Sequence, residues 1–152
     1  LPISATAELA DTCSPLNDDA FLFGRRTPEI ARASSELYRD GHFANAVEDA
    51  VKVLNSLVRI RSGEDGNGTA LMQSVFSPKN PILRFNALKD QNDINEQTGF
   101  MMMFTGAISG LRNPRAHSLI KDNPERALEF IAFVSLLAKL LDGAKKVPSA
   151  SK

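Results

Sequence analysis

Arg112, Asn113, Arg115 and His117 lie within one run of six residues, Arg112-Asn113-Pro114-Arg115-Ala116-His117. The run joins two permanent cations, an amide and an imidazole whose ordinary pKa is close to neutral. Phosphoryl chemistry calls for such a set. An arginine fork takes phosphate oxygens in pairs and opposes the charge that builds in the transition state. A histidine moves protons near pH 7, an effect worth typically about 10²–10⁴-fold. On residue types alone a simpler reading is stronger: Arg112 and His117 close the end of a helix against its last carbonyls.

Pro114 decides how the run can be held. Without an amide hydrogen, and with a ring that clashes with the preceding turn, it ends or kinks a helix arriving from Phe100. Asn113 is then free to cap the following turn, with Pro114 in its first position. His117 would thus sit on a short, defined segment between two apolar helices.

The remaining candidates offer less. His42 stands at a helix start, where an exposed or capping role suffices. Glu48 and Asp49 read as a solvated helix face; the lesser alternative turns Glu48 toward Arg112 and His117, tethering the one or tuning the other. No cluster has metal-ligand spacing, and a histidine beside two arginines repels a cation, so neither metal nor cofactor is expected. The glycine-rich turn Gly63–Gly68 lacks the lysine of a phosphate-binding loop. Met101, Met102 and Met103 read as core or interface.

Lys+Arg and Asp+Glu both number 18, which argues against a generic nucleic-acid coat but leaves room for a local basic cleft. A chain of 152 residues with 43% hydrophobic and 24% charged side chains has the profile of one ordinary globular domain. Cys13 stands alone and can form no internal disulfide, which reads as a reducing, cytoplasmic protein. No apolar run has the length of a membrane span and no signal peptide opens the chain. The first residue is Leu1 rather than Met, as in a fragment that lacks its upstream part.

The elements that must position the run follow from periodicity and punctuation. Residues 1–26 read as an irregular arm with an apolar plug, Ala20-Phe21-Leu22-Phe23-Gly24. Thr27-Pro28-Glu29 marks a helix start, with the threonine hydroxyl as cap and Gly41 beyond the end near Asp40. From His42 the best amphipathic stripe begins: Phe43, Ala46, Val47, Ala50, Leu54, Leu57 and Val58, with Glu48, Asp49, Lys52 and Asn55 off it. A short helix over 69–76 follows the glycine turn. Residues 82–88 are apolar without a period, so extended chain or a small hairpin is expected across the bundle. Asp93-Ile94-Asn95-Glu96 has the form of a capping box and launches a helix over 94–111. That helix is apolar on more than one side, so it is central to the fold or shared with a second subunit. Asp122-Asn123-Pro124-Glu125 starts the last helix, which Gly143 ends, and residues 144–152 read as a disordered tail. The fold is therefore all-α, an up-and-down bundle of four main helices with short additions over 27–143.

Arg112 to His117 resembles the R-x4-6-H motif of the HEPN superfamily in its R-N-x-x-x-H form. Gly41 to Val47 through Arg61-Ser62-Gly63, Gly68 to Phe76, Pro81 to Leu88, Glu96 to Gly99, Gly106-Ala107 and the motif itself look like the Ymh family of uncharacterised bacterial proteins. The resemblance spans residues 28–143. It implies a metal-independent endoribonuclease, acting as a toxin or anti-phage effector, in which the ribose 2′-OH attacks the adjacent phosphate. His117 would be the acid/base group, Arg112 the phosphate and transition-state stabiliser, and Asn113 an orienting group, with Arg115 and Glu48 as substrate contacts. It also implies RNA as substrate, a homodimer that joins two motifs in one cleft, and a cognate antitoxin protein. The alternative is a non-catalytic HEPN domain that binds a nucleotide, RNA or a protein partner as a dimerisation module. A third reading makes the chain itself an immunity or antitoxin partner.

Overall fold

Thr27 and Pro28 open the first helix, α1 (Pro28–Arg39), in the computed structural model, which describes residues 23, 24 and 26–149. Most of the arm expected over 1–26, Cys13 included, lies outside the described residues. Phe23 is buried and meets Tyr38 edge-on, with ring centroids 5.7 Å apart. Thr27 does not cap α1 with its hydroxyl. Its amide donates to Ser135 Oγ at 2.7 Å and its hydroxyl donates to the Ser135 carbonyl at 3.2 Å, so the helix start is riveted to the last helix instead. Both residues are buried, and each satisfies polar groups that would otherwise be orphaned.

Gly41, with φ of 82°, turns the chain into α2 (Phe43–Ser62), which is the axis of the bundle. Ala46, Val47, Ala50, Val51, Leu54 and Val58 are fully buried along it, facing α1 and the last helix. Asn55, expected on the solvent side, is buried too. Its Oδ1 accepts from the Gly68 amide at 3.1 Å and its Nδ2 donates to Asn67 Oδ1 at 2.8 Å, so it holds the start of α3 (Gly68–Phe76). Gly63 ends α2 at φ 77°, a left-handed conformation that suits glycine.

The ambiguous stretch after α3 is extended. β1 (Leu83–Arg84) pairs antiparallel with β2 (Lys145–Lys146), and the Val147 amide donates to the Ile82 carbonyl at 2.9 Å. The order of the chain therefore continues past Gly143, where a disordered tail was expected. Arg61 Nη2 donates to the carbonyls of Asp142 and Ala144 at 3.0 and 2.8 Å, and Ala144 is buried, so polar partners and apolar burial both hold this segment. No residue type in Lys145-Lys146 signals that pairing.

α4 (Gln91–Gly106) starts earlier than the sequence suggests. Asp90, not Asp93, is the cap: its Oδ1 accepts from the Asp93 amide at 2.9 Å, while Asp93 Oδ2 accepts from the Lys89 amide at 2.9 Å. The chain thus carries a reciprocal cap one turn upstream, and Glu96 is left to accept from Asn86 Nδ2 at 3.1 Å. Inside α4, Gln97 is fully buried yet wholly used. It donates to the Phe76 and Leu83 carbonyls at 3.0 and 3.1 Å and accepts from the Phe85 amide at 2.9 Å. Around it Phe76, Phe85 and Phe104 pack with centroids 4.6–5.9 Å apart, and Phe100 meets Phe85 edge-on. A helix-like turn over 107–112, α5 (Asn113–His117) and α6 (Pro124–Gly143) complete an all-α bundle of four main helices with short additions, as the sequence pattern predicts.

Gln97→Leu keeps the volume but strips three buried backbone groups of their partner. We expect a loss of roughly 2–4 kcal/mol in urea unfolding, with Gln97→Glu also destabilising because a carboxylate cannot donate.

Candidate functional site

The motif sits on a helix that does not stop at its proline. α4 runs into the segment Ala107–Arg112, where the Asn113 amide donates to the Ile108 carbonyl, a span of five residues rather than four. In α geometry the ring of Pro114 would press on the Gly110 carbonyl, and its nitrogen could not take that bond. One widened, π-type turn relieves both problems and lets the helix resume as α5. Asn113 consequently has helical φ and ψ of −60° and −45° and its side chain caps nothing, contrary to the role expected for it.

Within the motif the two arginines have opposite fates. Arg115 Nε donates to Asp122 Oδ2 at 2.7 Å and Nη2 donates to Oδ1 at 2.8 Å, a fork-on-fork pair whose side chains are 5% and 2% exposed. Its Nη1 donates to the Leu111 carbonyl at 2.8 Å, and the guanidinium stands 5.0 Å over the Phe130 ring. Arg115, expected as a substrate contact, is therefore spent inside the protein. Arg112 is half-buried, and its Nε is enclosed without a hydrogen-bond partner among the described residues. Such an orphaned donor costs about 1–3 kcal/mol. Arg26 and Arg84 carry the same feature, but neither lies in the motif.

His117 is the last residue of α5 and is exposed, with no side-chain hydrogen bond among the described residues. It stands five positions after Arg112, so on an α-helix the two side chains diverge by about 140° around the axis and roughly 7–8 Å along it. They do not stack on one face, as residues three or four apart would. Glu48 is bound elsewhere: Lys52 Nζ lies 2.9 Å from its Oε1, and among the described residues no hydrogen bond or ion pair joins it to Arg112 or His117. This hydrogen bond holds the Lys52 pKa above its usual value. The Asp49 side chain is 42% exposed, as on a solvated helix face, whereas that of Glu48 is mostly buried at 15%.

A surface cavity of about 340 Å³ lies beside the motif, between the start of α2 and the loop 118–123. His42, Phe43, Asn45, Lys121 and Asp122 are in its wall; His117 is not. His42 is exposed and makes no capping bond with its side chain. No group of three or more histidine, cysteine, aspartate or glutamate side chains could hold a metal ion among the described residues. No helix there is long and apolar enough to cross a membrane. Asp122 is the residue that sequence reasoning missed: it was read only as part of a helix start, because nothing in its spacing announces a partner seven residues upstream.

The family model for Hypoth_Ymh, a protein of unknown function, matches residues 25–141, well over half of the chain. The chain belongs to the Ymh family. No curated protein and no solved structure matches it. The Ymh match begins just before α1 and ends within α6, so the motif and all its supports lie inside the shared region.

Tyr38 anchors the far end of the motif loop, donating its hydroxyl to the Pro124 carbonyl at 3.0 Å. Burial raises its pKa above the usual 10. The unfolded chain therefore releases this proton first as pH climbs through 10, and the folded state loses stability there. Tyr38→Phe should flatten that alkaline fall in unfolding free energy, while costing roughly 0.5–1.5 kcal/mol at pH 7 for the lost hydrogen bond.

Proposed function

We propose that this Ymh protein is a metal-independent endoribonuclease of the HEPN type, acting as a toxin or anti-phage effector. The observation that carries the reading is the division of labour between the arginines. The protein neutralises Arg115 completely, yet leaves Arg112 with an enclosed, unpartnered Nε and His117 bare in solvent. A motif used only to close a helix end would have turned these groups onto carbonyls, as Arg115 does with Leu111.

In the proposed reaction the ribose 2′-oxygen forms a bond to the adjacent phosphorus and the bond to the 5′-oxygen breaks. The products are a 2′,3′-cyclic phosphate and a 5′-hydroxyl. The proton leaves the 2′-OH and arrives at the departing 5′-oxygen, and His117 serves this transfer. Arg112 opposes the charge on the non-bridging oxygens, and Asn113 supplies an orienting hydrogen bond.

The divergence of Arg112 and His117 around the helix favours a site completed by a second copy. The solvent side of the long helix supports the same view. Met102, Gly106, Ser109 and Gly110 are exposed along it toward Ala116 and His117, and a Cβ at Gly99, Gly106 or Gly110 would meet nothing within 4 Å. Nothing among the described residues requires glycine at these places, where it costs up to about 1 kcal/mol against alanine. Close approach of a second helix would require it. The alternative, a non-catalytic module that binds RNA, a nucleotide or a protein such as a cognate antitoxin, is favoured by one fact: among the described residues no side chain hydrogen-bonds the His117 ring, as a base is commonly fixed.

Purified protein incubated with mixed tRNA and single-stranded RNA in EDTA should give discrete cuts ending in 2′,3′-cyclic phosphate, reduced by about 100-fold or more in His117→Ala and Arg112→Ala. Intact RNA that is nonetheless bound would replace the enzyme by the binding module. Light scattering should report a dimer at micromolar concentration, and Gly106→Leu, bulky on the proposed contact, should shift it toward monomer.

A further inference from the structure

The turn that carries His117 packs against the widened turn before it and, more lightly, against α2. α5 is five residues long, the one side chain it is known to enclose is that of Arg115, and a single turn has no stability of its own. It is bracketed by the widened turn on one side and on the other by Ser118 and Leu119, both exposed. Among the described residues, the only side chain of the motif that bonds to anything is Arg115. That one side chain reaches three places at once: the Leu111 carbonyl next to Arg112, Asp122 at the end of the motif loop, and Phe130 on α6.

We infer that Arg115 and Asp122 are positioning residues, a buried clasp that sets the angle of the His117 turn to Arg112 without either touching the substrate. The inference rests on the ribonuclease reading for its catalytic consequence, and on the contacts alone for its mechanical one. The Leu111 bond fixes the widened turn from which Arg112 projects. The Asp122 fork closes the loop that follows His117, so both flanks of the turn are tied to one guanidinium. Phe130 supplies a flat face that holds the fork in plane. Removing the Asp122 charge leaves an uncompensated buried cation, which must swing out to water and release all three ties. A lysine at 115 keeps the charge but offers no planar fork, so it should hold the loop incompletely.

The test uses the full chain with Asp122→Asn, Arg115→Met and Arg115→Lys, each followed by RNA cleavage kinetics in EDTA and by amide hydrogen exchange. A misplacement of about 1 Å is worth up to about 100-fold, so kcat should fall roughly 30–100-fold in Asp122→Asn and Arg115→Met, with KM held within about threefold. Arg115→Lys should fall between these and the wild type. Exchange of amides 111–123 should quicken by about tenfold or more while α2 and the body of α6 stay protected, which separates a local release from global unfolding. A rise in KM with kcat intact would overturn the inference and return Arg115 to substrate contact. Unchanged exchange over 111–123 would also overturn it. If the wild-type protein cuts no RNA, the ribonuclease reading fails by itself, and the exchange result alone decides the clasp.

Discussion

Pro114 imposes a constraint that the rest of the site answers. A helix buried on one side cannot end there, because Phe104, Ala107, Ile108 and Leu111 continue the apolar face up to the motif. It cannot pass through in α geometry either, because the ring would collide with the turn behind it. The widened turn over 107–112 meets both demands and sets the departure of α5. It also releases backbone groups from their usual partners, and Arg115 reaches back to one of the carbonyls nearby, that of Leu111. The proline, the widened turn and the clasp are one arrangement.

Charge is distributed within the motif by burial. Two arginines three residues apart in a sequence look interchangeable, but only Arg115 projects toward the seam where α6 begins. There Asp122 and Phe130 can desolvate a guanidinium safely, since lost water contacts are replaced by two carboxylate oxygens, a carbonyl and a ring face. Arg112 makes no ion pair with an acid among the described residues. Its Nε is enclosed with no partner among the described residues, a cost that the partial exposure of the rest of the side chain limits to one atom.

The helices were legible because each rests on local chemistry. The stripe of α2, the proline and acid after Thr27, the Asn123 cap that accepts from the Arg126 amide at 2.8 Å, and the glycines after α1 and α2 all act within a turn or two. Local reasoning failed where two local solutions compete or where a partner is distant. Asp90 and Asp93 are both good caps, and the packing of Gln97 against β1 favours the register that uses Asp90. Thr27 would cap its own helix but bonds Ser135, more than a hundred residues away, because both are sealed in the core together. Asn55 and Gln97 look like surface residues by type and are buried because each closes backbone groups of another segment.

By itself the sequence determined an all-α chain, the order and approximate ends of its four main helices, and where an arginine, an amide and an imidazole stand close together in the chain. Those features depend on side-chain period, on caps and on functional-group type, which are properties of neighbours along the chain. Only the tertiary structure decided which arginine is available, that Glu48 belongs to Lys52, that Asp122 is a structural partner, and that the chain after Gly143 forms a strand. Each of those depends on which groups are enclosed together. Enclosure is set by how helices pack, since a buried charge must find its partner wherever the fold brings one.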